Sequence, residues 1–100
     1  MAINKTTARD ILRQVYEEDR FFNADGNIFS SLADLGAHVK DMPQEIFNYH
    51  CNSQKCDFAE WIEGTLHDAV LAKDIRKAKG VRAKIEKRVD ERVLKLEKYL

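Results

Sequence analysis

The stretch from His50 to Asp57, HCNSQKCD, holds the side chains of this sequence that are best suited to metal or redox chemistry. A structural zinc site needs four nitrogen or sulfur ligands, with gaps of about two to four residues between them. The gap between Cys51 and Cys56 fits, but His50 and Cys51 are adjacent, point about 100° apart on a helix and converge poorly on one ion. The favoured interpretation is a turn between two helices without bound metal. A metal or thiol site at His50, Cys51 and Cys56 is the weaker alternative.

The compartment bears on the state of the two thiols. The opening residues MAINKTTARD lack the apolar run of a secretory signal, so we expect a cytoplasmic protein. Thiols in that compartment stay mostly reduced. This disfavours a disulfide between Cys51 and Cys56, although their spacing would allow the bond.

Sequence motifs of enzymes are missing. The chain contains no Gly-rich phosphate loop, no Gly-x-Ser-x-Gly elbow and no His-Glu-x-x-His pair. Carboxylates are plentiful, but most fall at expected helix starts or on polar faces, so catalysis would need a constellation assembled only in three dimensions. We therefore expect a protein that is not an enzyme and that holds no cofactor.

Length and composition predict one globular domain over residues 1–100. The chain is 44% hydrophobic and 34% charged, which is ordinary for a globular protein. One hundred residues suffice for a single core without disulfide staples. No run approaches the ~18 apolar residues of a transmembrane helix, so no membrane association is expected.

Charge is divided unevenly along the chain. Residues 1–70 hold 6 Lys and Arg against 12 Asp and Glu, a net charge of −6, and residues 71–100 hold 11 against 5, a net charge of +6. Such a division is typical of a nucleic-acid-binding arm, or of two halves that attract each other within or between molecules. A nucleic-acid surface would span about 73–95, and its least compensated cations are Lys73, Arg76, Lys77 and Lys79.

Charge pairing in the last helix weighs against that nucleic-acid alternative. Arg82 and Glu86, Lys87 and Glu91, and Glu91 and Lys95 are each four residues apart, the spacing of ion pairs on a helix. No aromatic residues are interleaved among these cations to stack on bases. Nucleic acid is therefore the second hypothesis for a partner.

Helical periodicity and capping signals predict a mainly α fold, a compact bundle of five or six helices. Thr7 is expected to cap a first helix that reaches about residue 19, and Ser30 or Ser31 to cap the second. Pro43 suits the first turn of the third helix, because its missing N–H costs nothing there.

The later helices have similar signals. Asp57 with Glu60 three residues on predicts a capping box for a fourth helix. Asp68 is expected to start the next helix, and Gly80 to end it. Between the first two helices, the tight-turn dipeptide Asp25–Gly26 lies between apolar pairs and predicts one short β-hairpin near residues 21–29.

The last helix, about 81–99, has an apolar stripe with two interpretations. The stripe either packs on its own domain or pairs with another chain, which makes a homodimer through this helix one expected form of association. Its four-residue steps do not indicate a long two-stranded coiled coil. The stripe consists of Val81, Ile85, Val89, Val93, Leu96 and Leu100.

Four segments, FFNADGNIFSSLADL, DMPQEIFNYH, DFAEWI and LHDAVLAKDI, resemble a family of small microbial domains of unknown function. The resemblance covers about residues 21–76 and implies an accessory or regulatory role more than an enzymatic one. Where that family commonly has Asn before Asp-Phe-Ala, this chain has Cys56, so the position does not require a thiol. The matching residues are Phe22, Gly26, Ser31, Leu32, Leu35, Met42, Phe47, His50, Asp57, Phe58, Ala59 and Trp61.

Trp61 has two interpretations as well. It could stack on a ligand or anchor a partner, but a lone Trp at helical spacing usually packs in the core, which is the interpretation we favour. Taken together, the sequence predicts a small, non-catalytic protein-interaction or regulatory domain. The expected partner is another protein or a second copy of the chain.

Overall fold

The structure is a computed structural model, and it describes residues 3–100. Six helices and one two-stranded antiparallel hairpin form a compact bundle, which confirms the predicted fold class. A single 3-10 turn, Glu17–Asp19, lies between the first helix and the hairpin. The elements are α1 Lys5–Leu12, β1 Phe21–Phe22, β2 Ile28–Phe29, α2 Leu32–Asp41, α3 Gln44–His50, α4 Asp57–Gly64, α5 Ala69–Lys77 and α6 Arg82–Glu97.

The first helix is shorter than its periodicity predicts. It ends at Leu12, and the chain continues extended so that the backbone N–H of Val15 donates to the carbonyl of Ser30 at 2.8 Å. The Asn4 side chain caps this helix by accepting from the N–H of Thr7. The prediction of Thr7 as the cap is therefore wrong, because the helix begins one turn earlier.

The hairpin has the predicted turn but a different division of its aromatic residues. Gly26 has φ +93°, a conformation that L side chains rarely adopt. The backbone N–H of Asn27 donates to the Asp25 carboxylate at 2.9 Å, which holds the pKa of that carboxyl below its ordinary value. Phe21 faces Phe29 across the strands, and their rings stack 5.6 Å apart. Successive strand residues point to opposite faces, so Phe22, which the sequence assigns to the family motif and core, points outward instead and is 62% exposed.

Two of the predicted helix caps are confirmed, and the positions predicted for Pro43 and Asp57 each differ by one residue. Ser31 accepts from the N–H of Asp34, and Asp68 accepts from the N–H of Leu71. Pro43 is the residue before α3 rather than part of its first turn. Asp57 is the first residue of α4 instead of its cap, because its carboxylate is held by other partners.

The last helix packs inside the molecule against α1, α2 and α5. Its Ile85, Val89 and Leu96 are fully buried. Arg92 on the same helix forms a buried pair with Asp68, with Nε 2.7 Å from Oδ2 and Nη2 2.9 Å from Oδ1. These contacts make α6 a structural part of the core.

Two further contacts fix the turn that precedes α6. Gly80 has φ +81° and lies so close to the 51–56 turn that an added Cβ would be 2.6 Å from the Cα of Asn52. Arg82 then donates to the carbonyls of Val39 and Met42 at the end of α2, which have no partner within their own helix. No helix within residues 3–100 is long and apolar enough to cross a membrane.

Candidate functional site

His50 lies at the centre of the segment that the sequence marks for chemistry. Its side chain is buried at the end of α3, with Nδ1 3.0 Å from the Asp57 carboxylate. Its Nε2 accepts from the backbone N–H of Ala24 in the hairpin turn at 2.9 Å. Because a backbone N–H only donates, Nε2 must carry the lone pair and Nδ1 the proton that it donates to Asp57. His50 is thus held by one hydrogen bond to a side chain and one to the backbone.

This hydrogen bonding decides what His50 can do. Both ring nitrogens are engaged within the fold, so neither is free to bind a metal ion or to take a proton from a substrate. The Asp57 carboxylate also accepts from the Lys55 ammonium at 3.2 Å. His50 therefore joins α3, α4 and the hairpin as a structural link.

Aromatic side chains surround this link. The rings of Phe21 and Phe58 lie 5.2 and 5.5 Å from the His50 ring, and Phe21 lies 6.0 Å from Trp61. The Trp61 side chain is largely buried, and its Nε1 donates to the carbonyl of Asp19 at 2.7 Å. The favoured interpretation of Trp61 as a core residue is confirmed. Of the motif residues of the resemblance, Met42, Phe47, His50, Phe58 and Trp61 are buried, and Asp57 is partly exposed.

Cys51 and Cys56 are joined by a disulfide and are both buried. They form an isolated antiparallel bridge with Cα atoms 4.0 Å apart, which brings the two sulfur atoms together. The expectation of two reduced thiols is wrong for this structure. The side chain of Asn52 organises the loop between them by accepting from the N–H groups of Gln54 and Lys55.

The segment is therefore a turn, as favoured, and one closed by a covalent bond. Disulfide sulfurs are not the thiolate ligands that zinc requires. Within residues 3–100, no group of three or more His, Cys, Asp or Glu side chains is placed to share a metal ion. The weaker alternative of a metal site at His50, Cys51 and Cys56 has no support from this geometry.

The apolar stripe of α6 divides into a buried part and exposed ends. Ile85, Val89 and Leu96 are fully buried in the core, and Val93 is partly buried against it. Of the two interpretations of the stripe, packing on its own domain applies to these residues, because α1, α2 and α5 cover them. Val81 and Leu100 remain exposed at its two ends.

Two other surfaces expose apolar side chains beside charge. Phe22 and Ile28 are cross-strand partners, 62% and 47% exposed, and we call this pair the hairpin face. Glu17, Glu18 and Asp19, all exposed, form the acidic turn just before the hairpin. The helix end comprises the six exposed residues at the end of α6: Leu94, Lys95, Glu97, Lys98, Tyr99 and Leu100.

The predicted cationic cluster is split by the fold. Arg76 turns toward α4, where it donates to Glu63 at 2.7 Å and to Glu60 at 3.1 Å, and the Glu63 contact raises the pKa of Arg76 above its usual value. Lys77 instead lines a cleft between α5 and α6. Lys73 and Lys79 are exposed and line neither the α5–α6 cleft nor the cleft beside Arg76.

The remaining cations of that cleft fall within the predicted 73–95 surface but were not among its least compensated cations. Lys84, Lys87 and Arg88 lie opposite Lys77, together with Asp74 and Ala78, around a volume of about 310 Å³. Of the ion pairs predicted in α6, Arg82 with Glu86 is present at 3.8 Å. Glu91 pairs with Arg88 at 3.3 Å, and neither predicted pair of Glu91, with Lys87 or with Lys95, occurs. The spacing of Lys84, Lys87 and Arg88, three and four residues apart, is the sequence signal that places these cations of the cleft on one face of α6.

No family model, no curated protein and no solved structure matches the chain. The resemblance to small microbial domains therefore stays a prediction, as does the cytoplasmic location.

Proposed function

We propose that this chain is a small, non-catalytic protein-interaction domain that associates with a second copy of itself. In the proposed dimer, the hairpin face and acidic turn of one copy contact the helix end of the other. A two-fold axis makes this contact twice, since each copy offers both surfaces.

The observation that carries the proposal is the exposed cross-strand pair Phe22 and Ile28. Their neighbours Phe21 and Phe29 suffice to pack the hairpin on the core, so the fold itself does not require large apolar residues on the outer face. Contiguous exposed apolar side chains flanked by charge are typical of interaction surfaces. Aromatic residues are also enriched among the anchors of protein interfaces.

Charge complementarity favours a second copy as the occupant. Glu17, Glu18 and Asp19 make no ion pair within residues 3–100. The same holds for Lys95 and Lys98 of the helix end. The helix end combines these two cations with exposed apolar side chains, among them Leu100 at 58% exposure. Two of its three charged side chains, Lys95 and Lys98, are cations that complement the acidic turn, and its apolar side chains complement the hairpin face.

The engaged state of His50 supports a non-catalytic role. His50 and Asp57 have the contact expected of an acid–base pair, but the second ring nitrogen accepts from the backbone N–H of Ala24 and is therefore engaged within the fold. These contacts give His50 a structural role.

Sedimentation velocity across a concentration series tests the proposal. The wild-type chain is expected to dimerise, and the double substitution Phe22→Ser/Ile28→Thr is expected to yield a folded monomer, because both residues are exposed and contribute little to the core. Lys5→Glu/Arg9→Glu on the exposed side of α1 is the control, and it should dimerise as the wild type does.

A charge exchange gives a stricter test. Glu17→Lys/Glu18→Lys makes both surfaces basic, and Lys95→Glu/Lys98→Glu makes both acidic, so each variant alone should be monomeric. An equimolar mixture restores attraction at both contacts and should form a heterodimer. A wild-type chain that stays monomeric at about 100 μM would refute self-association, because the dissociation constant would then be larger than that of a typical specific dimer.

A further inference from the structure

The strongest charged feature outside the proposed dimer contacts is the cleft between α5 and α6. Four cations line it, namely Lys77, Lys84, Lys87 and Arg88, against the single carboxylate of Asp74. All four cations belong to exposed residues. The cleft is therefore open to solvent and strongly positive.

The fold assembles this cleft from two separated stretches of sequence. Helix α5 ends at Lys77, and the chain reverses through Gly80 before α6 begins at Arg82. Lys84, Lys87 and Arg88 are three and four residues apart, so they share one face of α6. Packing of α6 against α5 then places that face beside Lys77.

Three of the four cations have no carboxylate partner. Among the ion pairs of residues 3–100, only Arg88 has one, with Glu91 at 3.3 Å, and none involves Lys77, Lys84 or Lys87. Like charges held on one cleft repel each other, and an anionic ligand would relieve this repulsion. Three arginines of this region, Arg76, Arg82 and Arg92, are instead bound to groups of the protein.

The lining of the cleft indicates which kind of anion fits. Its one apolar residue is the buried Ala78, so it offers no apolar or aromatic anchor of the kind that protein interfaces depend on. It also contains no aromatic ring on which the bases of a single strand could stack. Contacts to the phosphates of a duplex need only cations, and they carry no sequence information.

From this geometry we infer that the α5–α6 cleft binds the phosphate backbone of a nucleic-acid duplex without sequence preference. This activity uses residues other than those of the proposed dimer contacts, and it would place one duplex site on each copy of the chain. Dimerisation would then let one particle contact two segments of duplex.

Fluorescence anisotropy with labelled 20-base-pair DNA and RNA duplexes of several sequences tests the inference. The wild-type chain should bind duplexes of different sequence equally, with a slope of log affinity against log salt of about −3 to −4 for four phosphate contacts. Lys84→Glu/Lys87→Glu should weaken binding by at least about tenfold and reduce the magnitude of the slope by about 2. Both residues are exposed, so circular dichroism should show an unchanged fold.

A matched control separates the cleft from overall charge. Lys5→Glu/Arg9→Glu changes the net charge by the same amount on an exposed face of α1, and its affinity for the duplex should stay within about twofold of the wild type. Equal weakening by both double variants would overturn the assignment of the cleft. So would the absence of wild-type binding at low salt.

Two competitors decide between classes of anion. Polyglutamate that displaces the duplex at lower charge concentration would assign the cleft to an acidic protein and overturn the inference. Vesicles containing anionic lipid that bind the chain when the duplex does not would do the same in favour of a membrane surface. The hairpin variant Phe22→Ser/Ile28→Thr should retain duplex affinity per chain, so failure of the dimer proposal leaves this inference standing.

Discussion

Replacing Gly80 with Ala tests the contact that closes α5 and α6 onto the disulfide turn. Gly80 has φ +81°, and a side chain in the left-handed region costs about 1–2 kcal/mol. An added Cβ would also lie 2.6 Å from the Cα and 2.7 Å from the carbonyl carbon of Asn52, which are backbone atoms that cannot rotate away. Overpacking of this kind costs about 1–3 kcal/mol. The free energy of unfolding should therefore fall by about 2–5 kcal/mol.

Two other glycines provide controls for that measurement. Gly26 has φ +93° but nothing within 4 Å of an added Cβ, so Gly26→Ala should cost only the conformational part, about 1–2 kcal/mol. Gly64, at the end of α4, also has nothing within 4 Å of an added Cβ, so Gly64→Ala should raise the free energy of unfolding by up to about 1 kcal/mol. Urea denaturation followed by circular dichroism gives all three values. Equal losses for Gly80→Ala and Gly26→Ala would refute the close approach to Asn52.

Two further predictions concern the buried polar groups. Arg92→Met should lower the free energy of unfolding by about 3–5 kcal/mol, because it leaves the Asp68 carboxylate buried without its partner. Urea titration should show that the double variant Asp68→Asn/Arg92→Met regains part of this loss, and a loss below about 1 kcal/mol for the single variant would contradict the buried pair. Cys51→Ser/Cys56→Ser should cost about 2 kcal/mol for opening a loop with a sequence separation of five. Alkylation of the denatured wild type should label the two cysteines only after reduction, and labelling without reductant would contradict the disulfide.

Local signals in the sequence were sufficient for most of the fold. Ser31 and Asp68 cap their helices as predicted, because a capping bond depends on residues three positions apart. The Asp25–Gly26 turn is present for the same reason. The end of α1 could not be predicted this way, since the extended chain after Leu12 is held by a bond from Val15 to Ser30, in another part of the fold.

The candidate site was less predictable because it depends on contacts between elements. The adjacency of His50 and Cys51, which disfavours a shared metal ion, is a local feature that the sequence shows directly. The partner of His50 at Ala24 lies in the hairpin, 26 positions away, and no spacing rule indicates it. The sequence disfavoured the disulfide because a reducing cytoplasm was expected. In the structure, a backbone bridge between the two cysteines brings their side chains close together.

The treatment of α6 shows why periodicity alone misplaces function on a small helical domain. An apolar stripe predicts that a helix is covered, but it does not distinguish the chain's own core from a second chain. Here α1, α2 and α5 cover Ile85, Val89 and Leu96, which removes the stripe from the available surface. The exposed side of the same helix stays available to a partner, and there Lys84, Lys87 and Arg88 are basic residues three and four positions apart. In the sequence, these three cations resemble the solvent-exposed face of any helix. They are recognised as a candidate binding surface only after the buried face of α6 is known.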